Sequence, residues 1–392
     1  MRRTSKYASF FRDRAPCLRH FLRTCHLCLG CIVLESCIKR KKTKPVFLGD
    51  LQVGGNAPVA VQSMTCTDTR DVRATVEQIK KLEDAGCEIV RVAVPDREAA
   101  AALSDIKKQI TIPVIADIHF NYRLALHAMR NGVEGIRINP GNIGKEKMVK
   151  IVELAKATGT VIRIGINSGS LEKDLLKKYG GPTASALVES ALKSHAFLRD
   201  AGCEAIKLSV KSSDVTTMVE AYRELSKKTD CPLHLGVTEA GSIVNAAVKS
   251  SIGMGILLYE GIGDTIRVSV TGNPVSEIGV AYGILRAMGI RKVGPDIISC
   301  PTCGRCEIDL FKLTQEVEEK LTGMKAYIKI ALMGCVVNGP GEAAEADVGI
   351  AGGKGYGLLF KKGRVIKKIK EIELLAALIN EIHSTVAEIK EG

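Results

Sequence analysis

The sequence predicts an α/β protein in which a (β/α)8 barrel is followed by a small α/β domain carrying clustered cysteines. Three observations predict it. Between residues 59 and 288, eight short β-branched runs alternate with amphipathic helical stretches, the arithmetic of an eight-stranded parallel barrel. Polar residues intrude into those runs with period two, so each set shares one face of its strand. After Gly289 the pattern changes, and four of the thirteen cysteines fall between residues 300 and 335. A length of 392 residues accommodates one large domain plus a small one.

The first 44 residues stand apart. They hold twelve Lys/Arg against two Asp/Glu, a net charge of +10, whereas the remainder carries only +3. The overall +13 therefore describes a tail and not a nucleic-acid-binding face, and the absence of Trp leaves little base-stacking surface. The tail has no small-residue cleavage site and reads as an unstructured extension, although Cys25, Cys28 and Cys31 have metal-like spacing. No apolar run reaches the ~18–20 residues of a membrane span. An odd number of cysteines without a secretory signal predicts a cytoplasmic protein whose cysteines are thiols or metal ligands.

The barrel strands are expected at 59–64, 88–94, 113–119, 135–140, 161–167, 205–211, 232–238 and 265–271. Helices are expected at 71–85, 145–157, 215–228 and 276–288, with Gly86, Gly132, Gly159, Gly202 and Gly289 as stops. An open doubly wound sheet is the alternative. It calls for a Gly-rich phosphate loop after the first strand, and Gln62-Ser63-Met64-Thr65 is not one.

The period-two polar sets are Asp117/His119, Arg137/Asn139, Arg163/Asn167, Lys207/Ser209/Lys211, His234/Thr238 and Arg267/Ser269/Thr271, with Arg91 in the second strand. In a barrel this face points to the axis. One such set could be a structural ion pair; six cannot, because unpaired buried cations are costly. The excess of Arg and Lys implies a strongly anionic ligand, a phosphorylated and most simply diphosphate substrate, at the C-terminal mouth. Asp117 and Glu239 are candidates for proton transfer or for orienting the cations.

Residues 293–296 read as a linker into the second domain. Cys300-Pro-Thr-Cys303-Gly-Arg-Cys306 precedes an expected helix at 307–321, a strand at 326–332, the loop Gly334-Cys335 to Glu342, a hairpin at 348–362 and a terminal helix at 372–389. Two metal readings fit the cysteines. Structural zinc wants four N/S ligands in a closed site. An iron–sulfur cluster suits Cys-Pro and close spacing better, with Gly and Pro near Cys335 exposing backbone N–H groups to sulfur. Gly352-Gly353-Lys354-Gly355 reads as a tight turn and not as a phosphate loop.

Six motifs together are specific: Val61-Gln62-Ser63-Met64-Thr65, Ala116-Asp117-Ile118-His119-Phe120, Arg137-Ile-Asn-Pro-Gly141-Asn142, Val237-Thr238-Glu239-Ala240-Gly241, Cys300-Pro-Thr-Cys303-Gly304-Arg305 and Gly334-Cys335-Val-Val-Asn338-Gly339-Pro340-Gly341-Glu342. They resemble the bacterial-type 4-hydroxy-3-methylbut-2-en-1-yl diphosphate synthase family of the non-mevalonate isoprenoid pathway, over about residues 43–392. The resemblance implies a TIM-barrel substrate domain at 45–290 and a [4Fe–4S] cluster domain at 291–392. It implies Cys300, Cys303, Cys335 and the carboxylate of Glu342 as cluster ligands, and Glu239 and Glu342 as catalytic groups. Arg91, Arg137, Arg163, Asn167, Lys207, Lys211 and Ser269 match substrate contacts.

The implied reaction is two-electron reductive ring opening and dehydroxylation of 2-C-methyl-D-erythritol 2,4-cyclodiphosphate. Flavodoxin or ferredoxin would be the donor, and a homodimer would place each cluster domain over the other subunit's barrel. Cys306 and the tail depart from the family pattern, and Cys306 could compete as a ligand. A phosphate-binding barrel synthase of the dihydropteroate-synthase type with a structural zinc domain is the alternative.

Overall fold

The computed structural model describes residues 38–139, 143–336 and 344–391. The tail to residue 37, the motif residues 140–142 and the segment 337–343, which contains Glu342, lie outside the described residues.

The barrel is present. Its strands and helices are β3 (Ala60–Met64), α1 (Val72–Asp84), β4 (Ile89–Ala93), α2 (Arg97–Lys107), β5 (Val114–Asp117), α3 (Tyr122–Arg130), β6 (Gly135–Ile138), α4 (Lys145–Thr158), β7 (Val161–Asn167), α5 (Lys173–Tyr179), α6 (Ala184–Asp200), β8 (Ile206–Lys211), α7 (Val215–Lys228), β9 (His234–Leu235), α8 (Ile243–Tyr259), β10 (Thr265–Ile266) and α9 (Val275–Ala287). All eight strands pair in parallel, in the order β8-β7-β6-β5-β4-β3-β10-β9. The Leu208 N–H donates to Pro232 O at 3.0 Å, which closes the ring between β8 and β9. Asp71, Asp96 and Asp214 cap α1, α2 and α7 through their side chains, so local chemistry sets these helix starts. All five expected stop glycines have positive φ, between 65° and 99°, which a side chain would oppose.

Two expected strands shrink. The runs 232–238 and 265–271 keep only two ladder residues each, because their ends splay into the loops of the mouth. Two helices, not one, join β7 to β8. A hairpin absent from the sequence reading, β1 (Val46–Leu48) with β2 (Leu51–Val53), plugs the barrel floor. Val46, Leu48 and Val53 pack there on Ala60, Ile89, Ile115 and Val161, the lowest inward residues of their strands. Residues 38–44, assigned by sequence to the extension, run along the same floor. Arg40 pairs with Asp264 at 3.2 Å and Thr43 Oγ1 donates to the same carboxylate at 2.9 Å.

The second domain is a five-stranded mixed sheet, in the order β11 (Pro295–Ser299), β12 (Ile328–Met333), β13 (Val348–Gly353), β14 (Tyr356–Lys361), β15 (Arg364–Lys370), with α10 (Leu310–Lys320) and α11 (Leu374–Glu391). Pro295 and Asp296 open β11 and do not end a linker, because they pair with Ile328 and Lys329. β15 extends the expected hairpin by one strand, and Lys354-Gly355 is the tight turn between β13 and β14. The domain has its own core, Val317, Ile330, Ile350 and Leu378 at its centre. No described helix is long and apolar enough to cross a membrane.

Candidate active site

Alternation along the strands separates two environments. Residues such as Val90, Ile136, Ile164 and Leu208 face the helices and form the main core. Their neighbours face the axis, and above the apolar floor these are polar. Register places Asp117, Arg137, Arg163 and Lys207 side by side on β5, β6, β7 and β8. Asn167 and Lys211 pair two levels higher on β7 and β8, above Gly165 and Ser209. Arg91 enters from β4, beside Ile115.

Each cation is held differently. Arg137 donates to Asp117 Oδ1 at 3.3 Å and to Gly165 O at 3.1 Å. Arg91 lies 3.9 Å from Asp117 Oδ2 and points Nε and Nη2 at Met64 Sδ, at 3.0 and 2.8 Å. Lys211 Nζ meets His234 Nε2 at 3.2 Å, and His234 Nδ1 meets Thr265 Oγ1 at 2.9 Å. Two glycines make room. A Cβ on Gly165 would stand 2.4 Å from Arg137 Nε, and one on Gly236 would stand 2.7 Å from Lys211 Nζ.

Burial opposes all this positive charge. It is the main cause that lowers Arg91 to about 10 and Lys207 to about 7, and Arg163's charge lowers Lys207 further. Lys211 and His234 are likewise pushed well down by burial and by neighbouring cations, so His234 is neutral. Burial would raise Asp117, but Arg91, His119 and Arg137 outweigh it and hold the carboxyl well below its usual range. Asp117 is therefore an ionised anchor that orients two arginines, and the proton-transfer role considered for it falls away. Arg163 Nε and Nη1 and Lys207 Nζ are buried without a hydrogen-bond partner among the described residues.

Above the cations opens a cavity of about 450 Å³, lined by Arg137, Asn167, Glu239, Arg267 and Ser269 among others. Glu239 is exposed at its rim and makes no ion pair or hydrogen bond among the described residues. Its φ of 54° is left-handed, a strained setting for a non-glycine residue. All seven residues expected to contact substrate thus lie in one barrel.

The sequence reading left Arg267 out of its site and did not single out Glu277. Glu277, at the start of α9 and 2% exposed, accepts Arg267 Nε and Nη2 at 3.2 and 3.1 Å, Ser63 Oγ at 2.8 Å and Val270 N at 3.2 Å. It holds Arg267 and the loop bearing Ser269 in place. The signal for Arg267 was its period-two partnership with Ser269; nothing marked Glu277, whose partners are Ser63 on a distant strand and Arg267 and Val270 on the loop before its helix.

The cysteines form a second cluster. β11 and β12 are parallel neighbours, so Cys300 and Cys335 follow adjacent strand ends. Gly334 N donates to Cys300 Sγ at 3.2 Å, and Cys303 is exposed on the turn between. Cys306 differs: its Sγ donates to Ile308 O at 3.2 Å and packs where a Cβ on Gly334 would stand 2.4 Å away. Among the described residues no three His, Cys, Asp or Glu side chains converge on a single metal position. Two strand-end cysteines and a third on their loop, with a backbone N–H already on sulfur, fit a wider iron–sulfur cluster.

Comparison with known proteins gives a consistent answer. Residues 43–282 match the GcpE TIM-barrel domain and residues 296–384 the GcpE protein C-terminal domain. The chain is 56% identical to the 4-hydroxy-3-methylbut-2-en-1-yl diphosphate synthase (flavodoxin) of Desulfotalea psychrophila over 90% of this chain and 98% of the relative. It is 58% identical to that of Thermodesulfovibrio yellowstonii over 88% and 99%, and 54% identical to that of Geobacter sulfurreducens over 89% and 99%. The solved dihydropteroate synthase of Yersinia pestis superposes with a TM-score of 0.47 at 12% identity, over 62% of this chain and 98% of that one.

Proposed function

Because the chain belongs to the GcpE family of 4-hydroxy-3-methylbut-2-en-1-yl diphosphate synthases, oxidoreductases of non-mevalonate isoprenoid biosynthesis, we propose that its barrel binds 2-C-methyl-D-erythritol 2,4-cyclodiphosphate and directs its reductive opening. The single observation that carries this reading is the orphaned charge inside the barrel. Arg163 and Lys207 are buried, with N–H groups that find no partner among the described residues, beside Arg91, Arg137 and Lys211. A dianionic diphosphate supplies the missing acceptors.

The residues take distinct roles. Arg91, Arg137, Arg163, Lys207 and Lys211 hold the diphosphate, with Arg267 at the rim. Asn167 and Ser269 hydrogen-bond the polyol. Two electrons enter the substrate, the ring C–O bond to the diphosphate breaks, and a hydroxyl leaves as water. Glu239 is the acid that protonates that hydroxyl. Cys300, Cys303 and Cys335, with Glu342 from outside the described residues, would hold a [4Fe–4S] cluster. When bound, the cluster would supply the electrons and a Lewis-acidic iron, with flavodoxin, the donor named for the relatives, as the reductant. The zinc-bearing dihydropteroate-synthase alternative is set aside by the family membership.

The place where the second domain departs supports a homodimer. Arg291, after α9, donates to Val59 O and Glu88 Oε2, which precede β3 and β4 on the floor. Lys325 of the second domain reaches Glu83 O at the floor end of α1. The cysteine domain thus leaves from the end opposite its own mouth, which supports delivery of electrons to the mouth of another copy.

Turnover with reduced flavodoxin tests the reading, beside Arg137→Ala and Arg163→Ala. Each lost charged hydrogen bond costs on the order of 1.5–3 kcal/mol, so KM is expected to rise roughly ten- to a hundredfold per variant, the fold unchanged by circular dichroism. Wild-type KM and kcat in both variants would make the arginines structural only.

The pH dependence has a definite sign. In the empty site Lys207 lies at about 7, and a bound dianion raises it. Binding therefore takes up a proton once pH exceeds about 7. Affinity is full below that value and declines above it, by at most tenfold per unit. Calorimetry at pH 8 in buffers of different ionisation enthalpy is expected to show this uptake, and Lys207→Met to reduce it, the remainder belonging to Lys211. Equal heats in all buffers for the wild type would remove Lys207 from the linkage.

A further inference from the structure

His234 is a buried imidazole with both ring nitrogens engaged. Register sets it beside Thr265 on the neighbouring strand, at one level of the barrel, and His234 Nδ1 meets Thr265 Oγ1 at 2.9 Å. Its Nε2 lies 3.2 Å from Lys211 Nζ and is the only hydrogen-bond partner of that amine among the described residues. Lys211 reaches the ring by passing over Gly236, just after β9, where a Cβ would stand 2.7 Å from Nζ. All three side chains are withdrawn from water: His234 and Thr265 are 0% exposed and Lys211 is 5% exposed.

The backbone beneath this group is fixed separately. β8 and β9 share a single bridge, Leu208 with Leu233. Tyr222 of α7, itself buried, spans the gap. Its Oη accepts from Val210 N at 3.2 Å and donates to His234 O. The residue before Lys211 and the residue carrying the imidazole are thus tied to one hydroxyl.

Proton counting gives the ring its role. The charged groups that act on the pair are Arg91, Arg137, Arg163, Lys207 and Arg267, all cations. Asp117 is engaged with Arg91 and Arg137, and Asp264 acts on Lys207 from the floor, where Arg40 and Thr43 hold it. A further positive charge on the ring is opposed, so His234 offers one N–H and one lone pair. An ammonium only donates. A charged Lys211 therefore needs the lone pair at Nε2, which leaves the N–H at Nδ1, where Thr265 Oγ1 accepts it.

We propose that His234 is a positioning residue that allows Lys211 to meet the substrate as a cation, an inference that rests on the reading above that Lys211 holds the diphosphate. Thr265 locks the Nδ1–H tautomer, Nε2 accepts one ammonium N–H, and the other two N–H groups are left for phosphate oxygens. Without the imidazole that third N–H is a buried donor on a charged group with no acceptor, a costly state. The amine then gives up its proton at lower pH, and its hold on the dianion goes with it.

The test compares variants of full-length, anaerobically reconstituted protein, with iron content and visible absorbance expected unchanged in all. His234→Leu removes the acceptor and keeps an apolar side chain in its place. Its KM is expected to rise roughly ten- to a hundredfold at about pH 8.5, with kcat changed less than KM. The factor is expected to shrink as pH falls, because the imidazole favours only the protonated amine. His234→Gln, whose Oε1 takes the place of Nε2, is expected to recover most of the loss and the wild-type pH profile. Thr265→Val is expected to show the same widening with pH more weakly, and Thr265→Ser to behave as wild type. If His234→Leu fails to fold, Thr265→Val against Thr265→Ser decides on the same readout. A defect that is equal in His234→Leu and His234→Gln and independent of pH would make the ring packing alone and overturn the proposal, as would wild-type KM in Thr265→Val at high pH. Lys211→Met separates the two levels. Unimpaired binding there would overturn the reading of the mouth, whereas an impaired Lys211→Met beside an unaffected His234→Leu would overturn only the role given to His234.

Discussion

Cys300→Ser, Cys303→Ser and Cys335→Ser are each expected to purify without a cluster and without measurable turnover, whereas Cys306→Ser keeps both. Cys300 and Cys335 follow the ends of two hydrogen-bonded parallel strands, so their separation is set by the sheet and not by a flexible loop. The Gly334 N–H already lies 3.2 Å from Cys300 Sγ, the kind of hydrogen bond that steadies a thiolate ligand. Cys306 faces the other way, donating to Ile308 O and filling the space beside Gly334. A serine there keeps the hydrogen bond and loses little packing. Iron and sulfide analysis with visible absorbance on anaerobic protein decides the matter. A cluster-free Cys306→Ser protein, or a Cys303→Ser protein with a full complement of iron, would contradict this assignment.

Glu239→Gln is expected to keep the cluster spectrum and bind substrate with near-normal affinity, yet to lose turnover by ~10²–10⁴-fold. Hydroxide is a poor leaving group, so proton delivery to it belongs to the slow step. Glu239 suits that task because it lines the cavity and forms no ion pair among the described residues. The left-handed backbone at φ 54° is maintained against strain, which a merely solvated glutamate would not require. Glu342→Ala is expected to fail differently, by altering the EPR or Mössbauer signature of the resting cluster and making it more labile. Near-normal kcat in Glu239→Gln would remove Glu239 as the acid, and an unchanged resting spectrum in Glu342→Ala would remove Glu342 from the coordination sphere.

The two predictions differ in how far the sequence already carried them. Spacing marked Cys300, Cys303, Cys306 and Cys335 together, and the family resemblance selected Cys300, Cys303 and Cys335 and left Cys306 out. The physical reason for leaving it out was not legible, because it depends on Ile308 O and on Gly334, which reaches Cys306 from another strand. Glu239 was visible from its place after a barrel strand, but its positive φ and its lack of an ion-pair partner among the described residues are properties of the assembled mouth.

What the sequence determined by itself is whatever rests on periodicity. Alternation with period two assigned Arg91, Arg137, Arg163, Lys207 and Lys211 to the axis, because a strand can turn only every second side chain the same way. Strand–helix repetition predicted the barrel, and capping residues and glycines marked several helix ends for reasons contained within a few residues. The tertiary structure decided which cations are anchored and which are left for a ligand. Asp117 serves both Arg91 and Arg137, Glu277 serves Arg267, and Arg163 and Lys207 keep N–H groups without a partner among the described residues. It also decided that the β1–β2 hairpin seals the floor and that the cysteine domain leaves from that end. These facts depend on registers and packing between segments distant in the chain. The energy of a buried charge is set by its neighbours in space, and one-dimensional order does not name them.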